Sequence, residues 1–296
     1  MDRPTQFIVT GFHRSGTSMT MQALKRAGLH IGNALIGADP SNPDGHFEDI
    51  ETVNLHDKWL AESGIDWCCT WHPPTVSIDH AQTGIDSIVD RLGKSHTQWG
   101  IKDPRAALFL NTWFDVLDNP HGVFVYRHFA SCLMSLQRRQ ADELFLSPST
   151  EARDIRFWAH PETALQSWLI HNKAILAQLK AYPDRCILIS QEAQIAGSCV
   201  STLVAETLPL KVLTDVANGV DMAKTRTQET VHIHNEQCQH ELQDTWEELQ
   251  SLSIAPADVI PTVEWGTSLS DPDEQLMRDA RHRLSGQWDK LGVQSF

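Results

Sequence analysis

The segment that most constrains this chain is Gly11-Phe12-His13-Arg14-Ser15-Gly16-Thr17-Ser18. Ahead of it, Gln6 to Gly11 is apolar and reads as a strand. Behind it, Met19, Ala23, Leu24 and Ala27 recur at helical spacing over Thr17 to Ala27, with Gly28 placed as a C-cap. A G-x-x-x-x-G turn between a strand and a helix is the setting of a phosphate-binding loop. Its glycines let successive backbone N–H groups face one anion, and the helix N-terminus adds partial positive charge and free donors. The competing reading is an ordinary strand-turn-helix corner, since Gly, Ser and Thr are common in turns.

One departure from the nucleotide triphosphatase pattern is informative. Those enzymes carry Lys where this chain has Thr17, and that Lys neutralises the β- and γ-phosphates. Its absence argues against ATP or GTP hydrolysis. Arg14 stands inside the loop instead, and its forked donors suit a smaller anionic group such as a phosphosulfate. A second anion site is expected further on. The strand Gly122 to Tyr126 ends in Arg127, and Ser135 lies eight residues later on the helix that starts near Phe129. An Arg at the strand end and a Ser about two turns along can hold a phosphate together, with Ser131 as the alternative hydroxyl. An Asp at this strand end would have suggested Mg²⁺; Arg says the reverse, and no metal is expected.

Strands alternate with helices along the first half of the chain. Further strands are read at Trp99 to Lys102 and Cys186 to Ser190. Helices are read at Glu51 to Ser63, Ile85 to Leu92, Ala106 to Leu117, Phe129 to about Gln140 and Glu162 to Lys180. Residues 37 to 47 form a loop, and Cys68 to Thr83 is read as irregular. Beyond residue 194 the pattern is mainly helical, including Glu241 to Leu252 and Glu274 to Leu291. Strands separated by helices imply parallel pairing with right-handed crossovers. The expected fold is a three-layer αβα domain with a central parallel sheet, like the P-loop-containing nucleotide hydrolases. The single domain, residues 1 to 296, has its core over about 6 to 195 and a helical C-terminal extension over about 196 to 296. Ligands of such sheets bind at the carboxyl ends of the strands.

Charge and composition narrow the partners. The formal net charge of -14 repels nucleic acid and anionic membranes, so an anionic ligand needs a locally basic cleft. No stretch has the length of a signal peptide core or a membrane span, which points to a cytoplasmic protein. The six cysteines show no C-x-x-C pair and are read as reduced thiols. The tryptophans Trp113, Trp158 and Trp168 are read as core. His232 and His234 alternate as on a strand or loop and make a weak case for metal.

Taken together, Gly11 to Ser18 resembles the 5′-phosphosulfate loop of the sulfotransferases that use 3′-phosphoadenosine 5′-phosphosulfate (PAPS), in the R-S-G-T-[ST] form found in carbohydrate and tyrosylprotein sulfotransferases. Arg127 and Ser135 are similar in type and spacing to that family's 3′-phosphate pair. Gly45-His46-Phe47-Glu48-Asp49 and Lys102-Asp103-Pro104-Arg105 match further segments, and the resemblance covers about residues 6 to 195. It implies that Arg14, Ser15, Gly16, Thr17, Ser18, Arg127 and Ser135 hold PAPS and its product, adenosine 3′,5′-bisphosphate. It also implies Glu48 as the base, with His46 and Asp49 as competitors, and Lys102 as the stabiliser of the transferring group. Arg14 serves in both capacities, and Arg105 assists or anchors a carboxylate. Lys224-Thr225-Arg226 would help cover the nucleotide. The cytosolic steroid and phenol enzymes use a Lys in the loop and a His base, and this chain departs from that pattern. The acceptor is a hydroxyl or amine on a small molecule, glycan or peptide. The rivals are a P-loop kinase-like phosphotransferase and a nucleotide-binding protein without catalysis.

Overall fold

The computed structural model of this chain describes residues 4–38, 42, 45–94, 96–146, 157, 160–213, 230–233 and 238–266. Four strands, β1 (Thr5–Thr10), β2 (Gln98–Lys102), β3 (Pro120–Tyr126) and β4 (Cys186–Ser190), form a sheet in the order β2-β1-β3-β4. All three pairings are parallel. Every residue of β2, β3 and β4 is buried. Strands covered on both faces read as continuous apolar runs rather than alternating ones, which is why Gly122 to Tyr126 and Cys186 to Ser190 stand out in the sequence.

Alternation along the strands sorts the core into two layers. Phe7, Val9, Val123, Ile187 and Ile189 face α1 (Thr17–Arg26) and pack on its Met21 and Leu24. Ile8, Ile101, Phe124 and Leu188 face the opposite way. That larger layer is covered by α2 (Ile50–Glu62), α3 (Ile78–Gly93), α4 (Leu110–Val116), α5 (Phe129–Leu146) and α6 (Pro161–Ala181). The same rule separates Lys102 from its neighbour: Lys102 projects to the α1 side, and Asp103 to the α2 side, where His56 and Trp113 lie. Trp113 and Trp168 are core, as expected.

The αβα sheet follows the sequence reading, and several boundaries do not. The stretch to Thr83 is only partly irregular, because α3 starts at Ile78. Ile78, Ala81, Ile85, Ile88 and Leu92 continue one stripe at i, i+3, i+4 spacing, and the last four are buried. The helix expected from Ala106 begins as a 3-10 turn, Pro104–Phe109. Asp103 accepts from the Arg105 N–H through its side chain and from the Ala106 N–H through its carbonyl, which tightens that turn. After β4 come α7 (Gln191–Ile195), α8 (Val200–Thr207) and α9 (Gln239–Leu252). A parallel pair, β5 (Thr230–Ile233) and β6 (Thr262–Trp265), interrupts the helical C-terminal region. His232 lies on β5. Trp158, Lys224-Thr225-Arg226, His234 and the helix expected at Glu274 to Leu291 lie outside the described residues.

Among the described residues, no helix is long and apolar enough to cross a membrane. All six cysteines are free thiols. Burial pushes the Cys132 and Cys186 thiols up to about 12, so these two stay protonated.

Candidate anion-binding and transfer site

Just past its end β1 comes so close to its neighbour β3 that only glycine fits. A Cβ on Gly11 would stand 2.0 Å from the Val125 carbonyl oxygen. The loop then turns through Arg14 at φ 69° and Gly16 at φ 93°, and α1 begins at Thr17. Arg14 and Phe47 (φ 56°) are the non-glycine residues in the left-handed region among the described residues. Such a conformation costs a side-chain-bearing residue roughly 1–2 kcal/mol. Both positions adjoin proposed site residues, and backbone strain gathers at such places.

The start of α1 is prepared for an anion. Gly16 provides no side-chain cap, and the first turn contains no acidic residue. The first N–H groups of a helix have no partner within it. Ser15 is 1% exposed, and its hydroxyl has no partner. A buried orphan hydroxyl beside uncapped N–H groups is a polar cradle that a phosphate or sulfate oxygen would complete.

Two further elements close on the loop. From β3 and α5, Arg127 Nη1 donates to the Arg14 carbonyl at 3.2 Å, and Arg14 Nε donates to Ser135 Oγ at 3.0 Å. Arg127, the loop and Ser135 therefore share one cluster, and Ser135 rather than Ser131 is the hydroxyl that Arg14 meets. The Arg127 carbonyl accepts from Trp168 Nε1 at 3.0 Å, which fixes the end of β3 against α6. That anchor has no signal in the sequence.

At the other side of the loop, Lys102 ends β2 with 2% exposure. Its ammonium donates to Glu48 Oε1 at 2.6 Å, to Ser18 Oγ at 3.1 Å and to the His46 carbonyl at 3.1 Å. Ser18 Oγ also accepts from Asn42 Nδ2 and donates to the His46 carbonyl. Glu48 is held in place by its own backbone, whose carbonyl accepts from Ile36 N–H at 2.8 Å. His46 enters this cluster through its carbonyl. Asp49 is committed elsewhere: it caps α2 by accepting from the Thr52 N–H and hydroxyl, and both its oxygens accept from Arg91.

Asp103 and Arg105 lie on the opposite face from Lys102. Asp103 accepts from Arg105 and pairs with His56 Nδ1 at 2.8 Å. Trp113 Nε1 donates to His56 Nε2, so the imidazole proton sits on Nδ1 and points at Asp103. The charge of Arg105 and the His56 bond hold the Asp103 carboxyl well below the usual carboxylate range, against the opposing effect of burial. Arg105 also pairs with Asp57 at 2.7 Å, so it anchors carboxylates.

Other histidines line the cluster. His13 packs against Trp67 with ring centroids 4.1 Å apart and planes tilted by 43°, and burial followed by the Arg105 charge lowers its pKa well below the ordinary value. His171 donates from Nδ1 to the Ser167 carbonyl, and burial lowers it to about 4. Burial and then the Arg127 charge lower His128 to about 3. In the unfolded chain these groups titrate near 6.5. Below that pH the unfolded state takes up protons that the folded state refuses, so stability is expected to fall as pH drops from 6.5 towards 4. The slope is up to about 1.4 kcal/mol per pH unit for each histidine. Melting temperatures at pH 7.5, 6 and 5 test this; a flat profile would mean that these imidazoles are solvated.

A last group was not foreseen. β4 ends at Ser190, and α7 brings Gln191 over Gly16, where a Cβ would stand 2.9 Å from Gln191 Cγ. Glu192 follows on the Arg127 side. Its Oε2 is buried without a partner.

No family model and no curated protein sequence matches the chain. Among solved structures, it is similar to a sulfotransferase domain from the Synechococcus PCC 7002 olefin synthase, at 14% identity and a TM-score of 0.39, over 77% of this chain and 85% of that one. It is similar to a sulfotransferase of Mycobacterium tuberculosis H37Rv at 14% identity and a TM-score of 0.43, over 85% of this chain and 78% of that one. A sulfotransferase domain from the curacin biosynthetic pathway shows 17% identity and a TM-score of 0.38, over 96% of this chain and 98% of that one.

Proposed function

We propose that the protein is a sulfotransferase that moves a sulfuryl group from PAPS to a hydroxyl or amine acceptor. The observation that carries this reading is the pairing of two clusters on one glycine turn: Arg127, Arg14 and Ser135 on one side, Lys102, Ser18 and Glu48 on the other. A doubly phosphorylated adenosine has an anion at each end, and the two clusters offer a cation to each.

PAPS supplies the activated sulfuryl group. Arg127 and Ser135 hold the 3′-phosphate, and the loop N–H groups with Ser15, Thr17, Ser18 and Arg14 hold the 5′-phosphosulfate. Glu48 takes the acceptor proton as the acceptor oxygen or nitrogen attacks sulfur. The bond from sulfur to the 5′-phosphate oxygen breaks in line with that attack. Lys102 turns from Glu48 to the oxygen where negative charge grows, which stabilises the transition state and leaves the carboxylate free to act as base. Adenosine 3′,5′-bisphosphate is the product. Thr17, in the place of the P-loop lysine, and Arg127, at a strand end where a Mg²⁺ ligand would stand, weigh against the kinase-like rival.

Arg127→Ala is expected to lower affinity for adenosine 3′,5′-bisphosphate by about 1.5–3 kcal/mol, the range for a hydrogen bond to a charged group. Calorimetry on the variant checks this, and unchanged affinity removes the 3′-phosphate assignment. A thermal-shift comparison of this nucleotide with ATP, GTP and NAD tests the donor class, because a ligand that binds only the native state raises stability. Stabilisation by ATP with Mg²⁺ alone would favour a phosphotransferase.

A further inference from the structure

Glu192 is a partly buried acid placed where a site for anions should exclude one. It stands two residues beyond the end of β4, beside the end of β3, because Ser190 pairs with Tyr126. Arg127 is the next residue after Tyr126. Arg127 itself donates to the Arg14 carbonyl, so Glu192 follows the strand next to the one that ends in this arginine pair. Arg127 lowers the Glu192 pKa through space while burial raises it more. Among the described residues, no cation forms an ion pair with Glu192. One of its oxygens, Oε2, is buried and has no partner. A carboxylate accepts hydrogen bonds and donates none, so the unfilled position calls for a hydroxyl or amine.

We propose that Glu192 reads the ribose of the donor nucleotide, its free carboxyl oxygen accepting the 2′-hydroxyl of an adenosine 3′-phosphate whose phosphate rests on Arg127. This rests on the reading of the site as a PAPS site. The 2′-oxygen is attached to the carbon next to the one that bears the 3′-phosphate, so a phosphate on Arg127 brings the 2′-hydroxyl towards the neighbouring strand end. Acids at strand ends hold ribose hydroxyls in other parallel sheets for the same reason. The chemistry also discriminates: a phosphate on the 2′-oxygen would set its charge against Glu192, so the site selects 3′-phosphorylated adenosine with a free 2′-hydroxyl.

The test is calorimetry on the full chain with three probes: adenosine 3′,5′-bisphosphate, its 2′-deoxy analogue and adenosine 2′,5′-bisphosphate. The wild type should bind the 3′,5′-bisphosphate about 10- to 100-fold tighter than the 2′-deoxy analogue, as fits a hydrogen bond to a charged acceptor. In Glu192→Ala the two should bind alike, and the penalty on the 2′,5′-isomer should shrink. Glu192→Gln, which keeps the shape and an acceptor oxygen, should fold like the wild type and show a reduced preference for the 2′-hydroxyl. A preference of the same size in wild type and both variants overturns the assignment to Glu192, as does a wild type that does not distinguish the 2′-deoxy analogue. If adenosine 3′,5′-bisphosphate fails to bind the wild type at all, the donor reading itself falls, and this assignment falls with it.

Discussion

Lys102→Met is expected to destabilise the protein by about 3–5 kcal/mol, the usual penalty for stripping a buried charge of its partner. The side chains of Lys102 and Glu48 are 2% and 9% exposed, and they meet at 2.6 Å. Methionine fills most of the volume of the lysine stem, so the loss is electrostatic rather than a cavity. Two further acceptors, Ser18 Oγ and the His46 carbonyl, each lose one donor and keep another, from Asn42 and Ser18 respectively. Buried ion pairs as such add little stability, since desolvation of both ions offsets their attraction. The double variant Lys102→Met with Glu48→Leu should therefore recover most of the loss while remaining inactive. Chemical denaturation of the three proteins checks this. A single variant as stable as the wild type would mean that Glu48 reaches solvent or another cation when Lys102 is gone, and the buried pair would not be the feature that holds the site together.

Legibility in the sequence follows the range of the contact. The glycine loop and Arg127 with Ser135 are local signals, each confined to one strand, its turn and the following helix, and the structure brings them together through the Arg14 bonds. The parallel sheet is readable for the same reason, because buried strands are unbroken apolar runs. Glu48 is different. Its neighbour Asp49 is an equally good carboxylate in the sequence, and only the N-cap of α2 and the Arg91 pair commit Asp49 to structure. The residue facing Glu48 is 54 positions away. Glu192 and Trp168 stay hidden for the same cause: an acid in a short helix and a tryptophan on a long one gain meaning only when β3 and β4 place Arg127 between them. The β5–β6 pair escapes because four-residue strands in a polar region carry too few apolar positions to show a period.

Glu48→Gln is expected to lower turnover by about 10²–10⁴-fold, the contribution of a positioned general base, while affinity for adenosine 3′,5′-bisphosphate stays as in the wild type. The amide keeps the volume of the carboxyl and an oxygen for Lys102, so the cluster around Ser18 and the His46 carbonyl is preserved. What is lost is the capacity to take a proton. Sulfuryl transfer from PAPS to a panel of phenols, amines, sugars and tyrosine peptides at saturating acceptor measures kcat, and calorimetry measures the nucleotide. Two comparisons decide between the candidate bases. Asp49→Asn weakens the cap on α2 and the Arg91 pair, so it should lower the melting temperature more than kcat. His46→Ala keeps the carbonyl that Lys102 and Ser18 use, so kcat should persist. If His46→Ala abolishes turnover and Glu48→Gln does not, the base is His46, and the bond from Lys102 to Glu48 is a structural tether.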